Sequence, residues 1–142
     1  MNAYQELRDR QQQEFNSFPC FFAFDQKQFD EGMKKLGLKP GDTKLVYRGM
    51  SGMYYRKTDA HSLKEMMDRF DRERAEAIMA DSTGDGFILD MFSFELANHE
   101  FGYTYELSET LEAVGLTISV VKEKPNLLNG LRKALKRYGA TI

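Results

Sequence analysis

The chain of 142 residues has one cysteine, no tryptophan, two histidines and three prolines. A single thiol, Cys20, cannot close an internal disulfide, and no second cysteine exists for a cysteine-based zinc site. A reducing cytoplasm is the expected setting. Long apolar runs are missing as well. The longest unbroken one, Cys20 to Phe24, falls far short of the ~20 residues a membrane helix needs. Residues Met1 to Arg8 have no apolar core of the kind a signal peptide carries. A soluble cytoplasmic protein with no membrane partner is expected. Linker-like stretches and repeats of solenoid length are also absent. What remains is ordinary for a folded protein, at 42% hydrophobic and 30% charged residues. That excludes a disordered tail or a collagenous segment, and one domain spanning residues 1–142 is expected.

Positive charge is missing from one third of the chain. Residues 75–121 contain no Lys or Arg and nine acids: Glu76, Asp81, Asp85, Asp90, Glu95, Glu100, Glu106, Glu109 and Glu112. Residues 122–142 carry six basic groups against Glu123, and the net charge of the chain is −2. The plain reading is a solvated acidic face, partly offset by a basic last helix. Two sharper readings exist. An acidic surface can imitate nucleic-acid phosphates and steer in a basic partner. Alternatively, the basic helix can hold phosphates through Lys122, Lys124, Arg132, Lys133, Lys136 and Arg137.

Periodicity and turn chemistry give the elements. Ala3 to Phe15 reads as a helix ended by Pro19, and Phe21 to Phe24 as a short aromatic strand. Asp25 caps the next helix, with Gln28 completing a capping-box pattern. Phe29, Met33 and Leu36 form its apolar stripe, and Gly37-Leu38 stops it. Lys44–Arg48 and Met53–Lys57 form a hairpin around Gly49–Gly52. A hairpin alone is marginal, so it pairs with the aromatic strand in a three-stranded antiparallel sheet. A long helix runs from Asp59 or Ser62 to near Ala80. Residues 87–98 fit a helical face at Ile88, Met91, Phe92 and Leu96 better than strand alternation, with Asp85 as the cap. A shorter helix spans Ser108–Val114. Thr117–Lys122 has strand propensity, yet it follows a possible Thr cap and leaves a helical turn open. Pro125 opens a last amphipathic helix through Leu127, Leu131 and Leu135. The expected class is α+β, a small antiparallel sheet packed against five or six helices.

Several patterns carry chemistry, and each has a plainer alternative. Asp81-x-Thr83-x-Asp85-Gly86 matches the first half of a calcium loop, but Phe92 stands where the bidentate Glu belongs. A helix-capping loop is the plainer reading. Asn98-His99-Glu100 closes a helix. With His61 it could ligate a metal, although the spacing carries no ligand signal, and a histidine favoured by a helix C-terminus is the simpler account. Gly49-x-x-Gly52 lacks the Lys-Ser/Thr pair of a phosphate loop. The residues around it are more suggestive. Tyr47, Arg48, Tyr54, Tyr55, Arg56 and Lys57 place aromatics beside cations on a sheet, an arrangement that stacks bases and holds phosphates. Alternation nonetheless requires some of those tyrosines to face the core. Cys20, between Pro19 and Phe21, reads as a buried structural thiol. Met50, at the hairpin tip, is the methionine expected at a partner surface. No triad or nucleophile elbow is present, and no cofactor is expected.

Phe21-Phe22-Ala23-Phe24-Asp25-x-x-Gln28-Phe29-x-Glu31-Gly32-Met33-x-x-Leu36-Gly37-Leu38 and Phe94-Glu95-Leu96-Ala97-Asn98-His99-Glu100-Phe101 resemble small uncharacterised proteins of gut Firmicutes and their phages or mobile elements. The resemblance implies an accessory role and no established activity. Three functions follow. The first is a small interaction or regulatory protein without catalysis, meeting an unidentified protein partner through Asn98, His99, Glu100 and Met50. The second is a single-stranded nucleic-acid binder using Arg48, Tyr54, Arg56 and Lys57 of the hairpin with Arg132 and Lys136 of the last helix. The third is a metal-assisted enzyme at His99 and Glu100.

Overall fold

A computed structural model describes residues 1–142. In chain order it contains α1 (Ala3–Asn16), β1 (Cys20–Phe22), α2 (Gln26–Lys35), β2 (Val46–Arg48), β3 (Met53–Arg56), α3 (Ala60–Ala80), α4 (Phe87–Asn98), α5 (Phe101–Thr104), α6 (Ser108–Ala113), α7 (Ile118–Glu123) and α8 (Pro125–Leu135). Single 3-10 turns lie at Thr43–Leu45, Met50–Gly52, Lys57–Asp59 and Lys136–Tyr138. The class is α+β, with eight helices and a three-stranded antiparallel sheet. Two units are distinguished, one of residues 12–69 and one of residues 1–11 with 70–142. The division falls within α1 and within α3.

The first unit holds the sheet, in the order β1-β3-β2. Cys20, Phe21 and Phe22 stand opposite Tyr55, Tyr54 and Met53. Val46, Tyr47 and Arg48 stand opposite Arg56, Tyr55 and Tyr54. β1 is three residues long and ends earlier than the expected Phe24, although the Ala23 amide still donates to the Gly52 carbonyl at 3.0 Å. Lys44 and Leu45 coil into a 3-10 turn and leave β2 shorter than expected.

Opposed residues of a sheet share a face. Phe21, Tyr54, Val46 and Arg56 therefore look one way, and Tyr47, Tyr55, Met53 and Phe22 the other. α2 packs on the first face. The Asp25 carboxylate accepts from the Gln28 amide at 2.8 Å, and the Gln28 side chain accepts from the Phe24 amide at 2.7 Å. This reciprocal cap fixes where α2 begins. Met33 of α2 and Leu36, which ends it, are buried with Phe21, Ala23 and Val46. The Phe21 and Tyr54 rings stack at 5.3 Å, with Phe29 edge-on to both. This packing needs Gly32, because a Cβ there would fall inside the Phe21 ring.

The second unit has no strand. Five helices, α4 to α8, belong to it. The physical reason lies in α4. Its Ile88, Met91, Phe92 and Leu96 are fully buried, and Leu127, Leu131 and Leu135 of α8 meet them in one core. Each such side chain contributes roughly 1.5–3 kcal/mol by leaving water. A helix apolar on this scale builds its own helical surroundings. The favoured helix over 87–98 is present. Thr117–Lys122 is also helical, against its strand propensity. Thr117 Oγ1 accepts from the Val120 amide at 3.3 Å, and Val121 is buried in the core. The cap and one tertiary anchor outweigh β-branching. α5 was not anticipated. It is a single turn between left-handed Glu100 and Tyr105, held by buried Phe101 against the Tyr138 ring at 5.2 Å.

Candidate functional site

The loop between α3 and α4 decides the calcium reading. The Asp81 carboxylate accepts from the amides of Gly84 at 3.0 Å, Gly86 at 3.1 Å and Ile88 at 3.0 Å. A carboxylate surrounded by N–H donors is arranged as a cap, not as a cation ligand. It is Asp81, therefore, and not the expected Asp85, that caps α4. Asp85 instead meets Lys133 and the Asn129 amide group. These bonds, Lys133 first, hold its carboxyl below the usual range. Asn129 also donates to the Thr83 carbonyl at 2.7 Å, and Asn126 to those of Ile78 and Asp81. Gly84, at φ +85°, lies so close to the Asn126 carbonyl that no side chain fits. The loop is clipped to α8, and Phe92, in the place of a twelfth ligand, is core.

Asn98, His99 and Glu100 sit at the end of α4. Asn98 is exposed and donates to the Glu95 carboxylate at 3.4 Å. His99 is half-buried, with Nδ1 3.6 Å from Glu109 and Nε2 enclosed without a partner. Glu100 is exposed and left-handed. His61 belongs to the other unit and faces Glu65 at 3.0 Å. No three His, Cys, Asp or Glu side chains converge as a metal would require.

One group was misread from the sequence. Glu95 is not part of a solvated acidic face: it is buried on α4, beside Tyr4. Burial, followed by the charge of Glu95, pushes the Tyr4 phenol above its ordinary range, while Arg8 opposes the shift. Position 95 continues the stripe of 88, 91 and 92, which is the signal that would have placed it inside. Cys20, expected to be buried, is half-buried. Burial raises its thiol pKa, with nearby Lys35 acting against the shift.

The hairpin residues divide between the two sheet faces. Tyr54 is stacked into the small core and presents no free ring. Arg56 is held by Asp59 at 2.7 Å and by the Leu36 carbonyl at 3.3 Å. Arg48 remains exposed. Lys57 is exposed and lies over the Tyr47 ring at 5.0 Å. Arg132 and Lys136, both exposed, belong to the other unit, as do Asn98, His99 and Glu100.

The face away from α2 is the unusual surface. Tyr47 and Tyr55 lie 5.9 Å apart, and Phe18 covers Tyr55 edge-on at 6.2 Å. Tyr47 is 46% exposed, Phe22 49%, and Phe24, whose ring lies against Gly52, 78%. Met50, at the tip, is 86% exposed, as expected of it. Phe22, Tyr47 and Tyr55 thus share one side of the sheet, with Met50 at the tip of the hairpin.

Residues 3–137 match the model of a family of unknown function, DUF7659, and the chain belongs to that family. Searches of curated proteins and of solved structures find no match. No helix is long and apolar enough to cross a membrane.

Proposed function

We propose that the chain is a non-catalytic interaction protein of the cytoplasm. It meets a protein partner through the open sheet face and hairpin tip of residues 12–69. The observation that carries this reading is the exposure of Phe22, Phe24, Tyr47 and Met50 around half-buried Tyr55. Aromatics and methionine are the residue types enriched at interface cores. The rim is basic at Lys57, which lies over the Tyr47 ring, and Asp42 is the one acid between residues 32 and 57. The complementary partner is apolar at its centre and acidic around it. An accessory role of this kind agrees with the resemblance to small proteins of phages and mobile elements.

Site-specific photo-crosslinking in the native host tests the reading. A benzophenone side chain at Tyr47 or Met50 should trap a discrete protein adduct, and one at exposed Glu76 should not. Equal labelling at all three positions, or none, removes the proposal. So does recovery of nucleic acid in place of protein, which Lys57 over Tyr47 makes the competing outcome.

A further inference from the structure

The outer edge of β1 is an unfilled strand position. β1 ends the sheet, and the Ala23 amide bond to Gly52 sets the ladder's phase. In an antiparallel ladder alternate residues exchange bonds with the neighbour. Phe21 and Tyr54 are therefore a bonded pair, and the N–H and C=O groups of Cys20 and Phe22 point away from β3. No group of the protein bonds them. The edge is protected only by its shortness and by the preceding Pro19: β1 reads Cys-Phe-Phe, without charge or bulge.

A groove of about 700 Å³ runs along this edge. One wall is Phe15 and Phe18, from the end of α1 and the turn after it; the other is Gln28, Gly32 and Lys35 of α2. An added strand directs successive side chains to opposite sides. Here one set would meet the two phenylalanine rings and the other the α2 wall. The charged residues lining the groove are Glu31 and Lys35, one acid and one base. Such a groove sets up no field for a polyanion. Alternating unpaired N–H and C=O groups at strand spacing match the backbone of an extended peptide.

We propose that β1 accepts an extended segment of a partner protein as a fourth strand. The segment is uncharged over its paired residues and apolar at every second position, with those residues against Phe15 and Phe18. This deepens the interaction-protein reading and rests on it. Main-chain bonds supply the affinity and the two walls the selectivity.

The test is selection of a random dodecapeptide library, displayed on phage, against the full-length protein. Enriched peptides should show apolar residues at alternate positions. In the complex, hydrogen exchange at the Cys20 and Phe22 amides should slow by at least about tenfold. Phe22→Pro removes one outward donor together with the Phe22 ring and leaves the β1–β3 ladder intact, so it is read against Phe22→Ala, which loses the ring, keeps the donor and should still bind the peptide. Phe22→Pro should abolish binding with the thermal midpoint preserved. N-methylation of alternate amides in the peptide should do the same with the protein unaltered, so the result does not depend on how the variant folds. Failure to enrich any peptide overturns the proposal. So does binding indifferent to N-methylation. Protection of Cys20 and Phe22 in the free protein that rises with its concentration, alongside a dimer mass, also overturns it, because the occupant is then a second copy. If Tyr47 still traps a protein adduct in the host, only the strand proposal falls; if it does not, the broader reading falls with it.

Discussion

The two units differ in the size of their cores, although both leave some large apolar side chains exposed, Tyr103 and Met79 in one and Phe24 and Met50 in the other. In residues 1–11 and 70–142, fourteen buried residues form one core, and the loop before α4 is clipped by Asp81, Asn126 and Asn129. In residues 12–69 the buried cluster is five residues, and the side chains with the most to gain from burial, Phe22, Phe24 and Met50, stay in water. The five-residue cluster leaves one side of the sheet in residues 12–69 uncovered, and that side is the surface the proposed partner would meet.

The sharpest break in that contrast comes from the cores. Phe92→Ala, at a fully buried site, should lower unfolding free energy by about 3–5 kcal/mol in urea titration. Met33→Ala should fall at the low end of the ~2–5 kcal/mol range for such truncations, since its cluster is smaller and freer to collapse. Equal losses would blur the distinction drawn between the units. Asp81→Ala should follow at about 2 kcal/mol, because it strips a cap and strands three amides. Asp85→Ala, on the surface, should not approach that loss. Denaturant midpoints for the pair would show which aspartate holds the loop.

A pH series addresses Tyr4. Its folded pKa is raised, so the unfolded chain loses the proton first as pH climbs through about 10. Above that point the unfolded state binds fewer protons than the native one, and stability declines with rising pH. Tyr4→Phe should remove part of this alkaline decline. An unchanged slope would mean the phenol is not shielded as its burial beside Glu95 implies. The smallest expected effect is the most telling for function. Phe22→Ser and Tyr47→Ser should change stability by no more than about 0.5 kcal/mol. The same changes should abolish partner capture at the open face.

Local chemistry was legible in the sequence wherever a residue's role is settled by its neighbours along the chain. Asp25 with Gln28, Gly37 with Leu38, Pro125 and the turn at Gly49–Gly52 all act as their types require. The helix over 87–98 was legible because four apolar positions repeat at one spacing. Roles settled across the fold were not. Asp81 displaces Asp85 as the cap because its carboxylate reaches amides as far ahead as Ile88. Residues 117–122 coil because Val121 has a core to enter, which propensity does not register. Of the candidate site, Met50 at a hairpin tip was foreseeable. Which tyrosine faces out depends on register: a one-residue slip would exchange Tyr54 and Tyr55. Arg56 was lost to the site by its bonds to Asp59 and Leu36, partners that spacing alone does not reveal.

The solitary thiol offers a practical return. Cys20 lines the β1 groove, is half-buried, and has no rival anywhere in the chain. An environment-sensitive fluorophore attached there would sit where an incoming strand must pass, with no engineered cysteine. Because burial raises the thiol's pKa, coupling should speed up on the alkaline side of neutrality, and slowing of that coupling would itself report that the groove is filled.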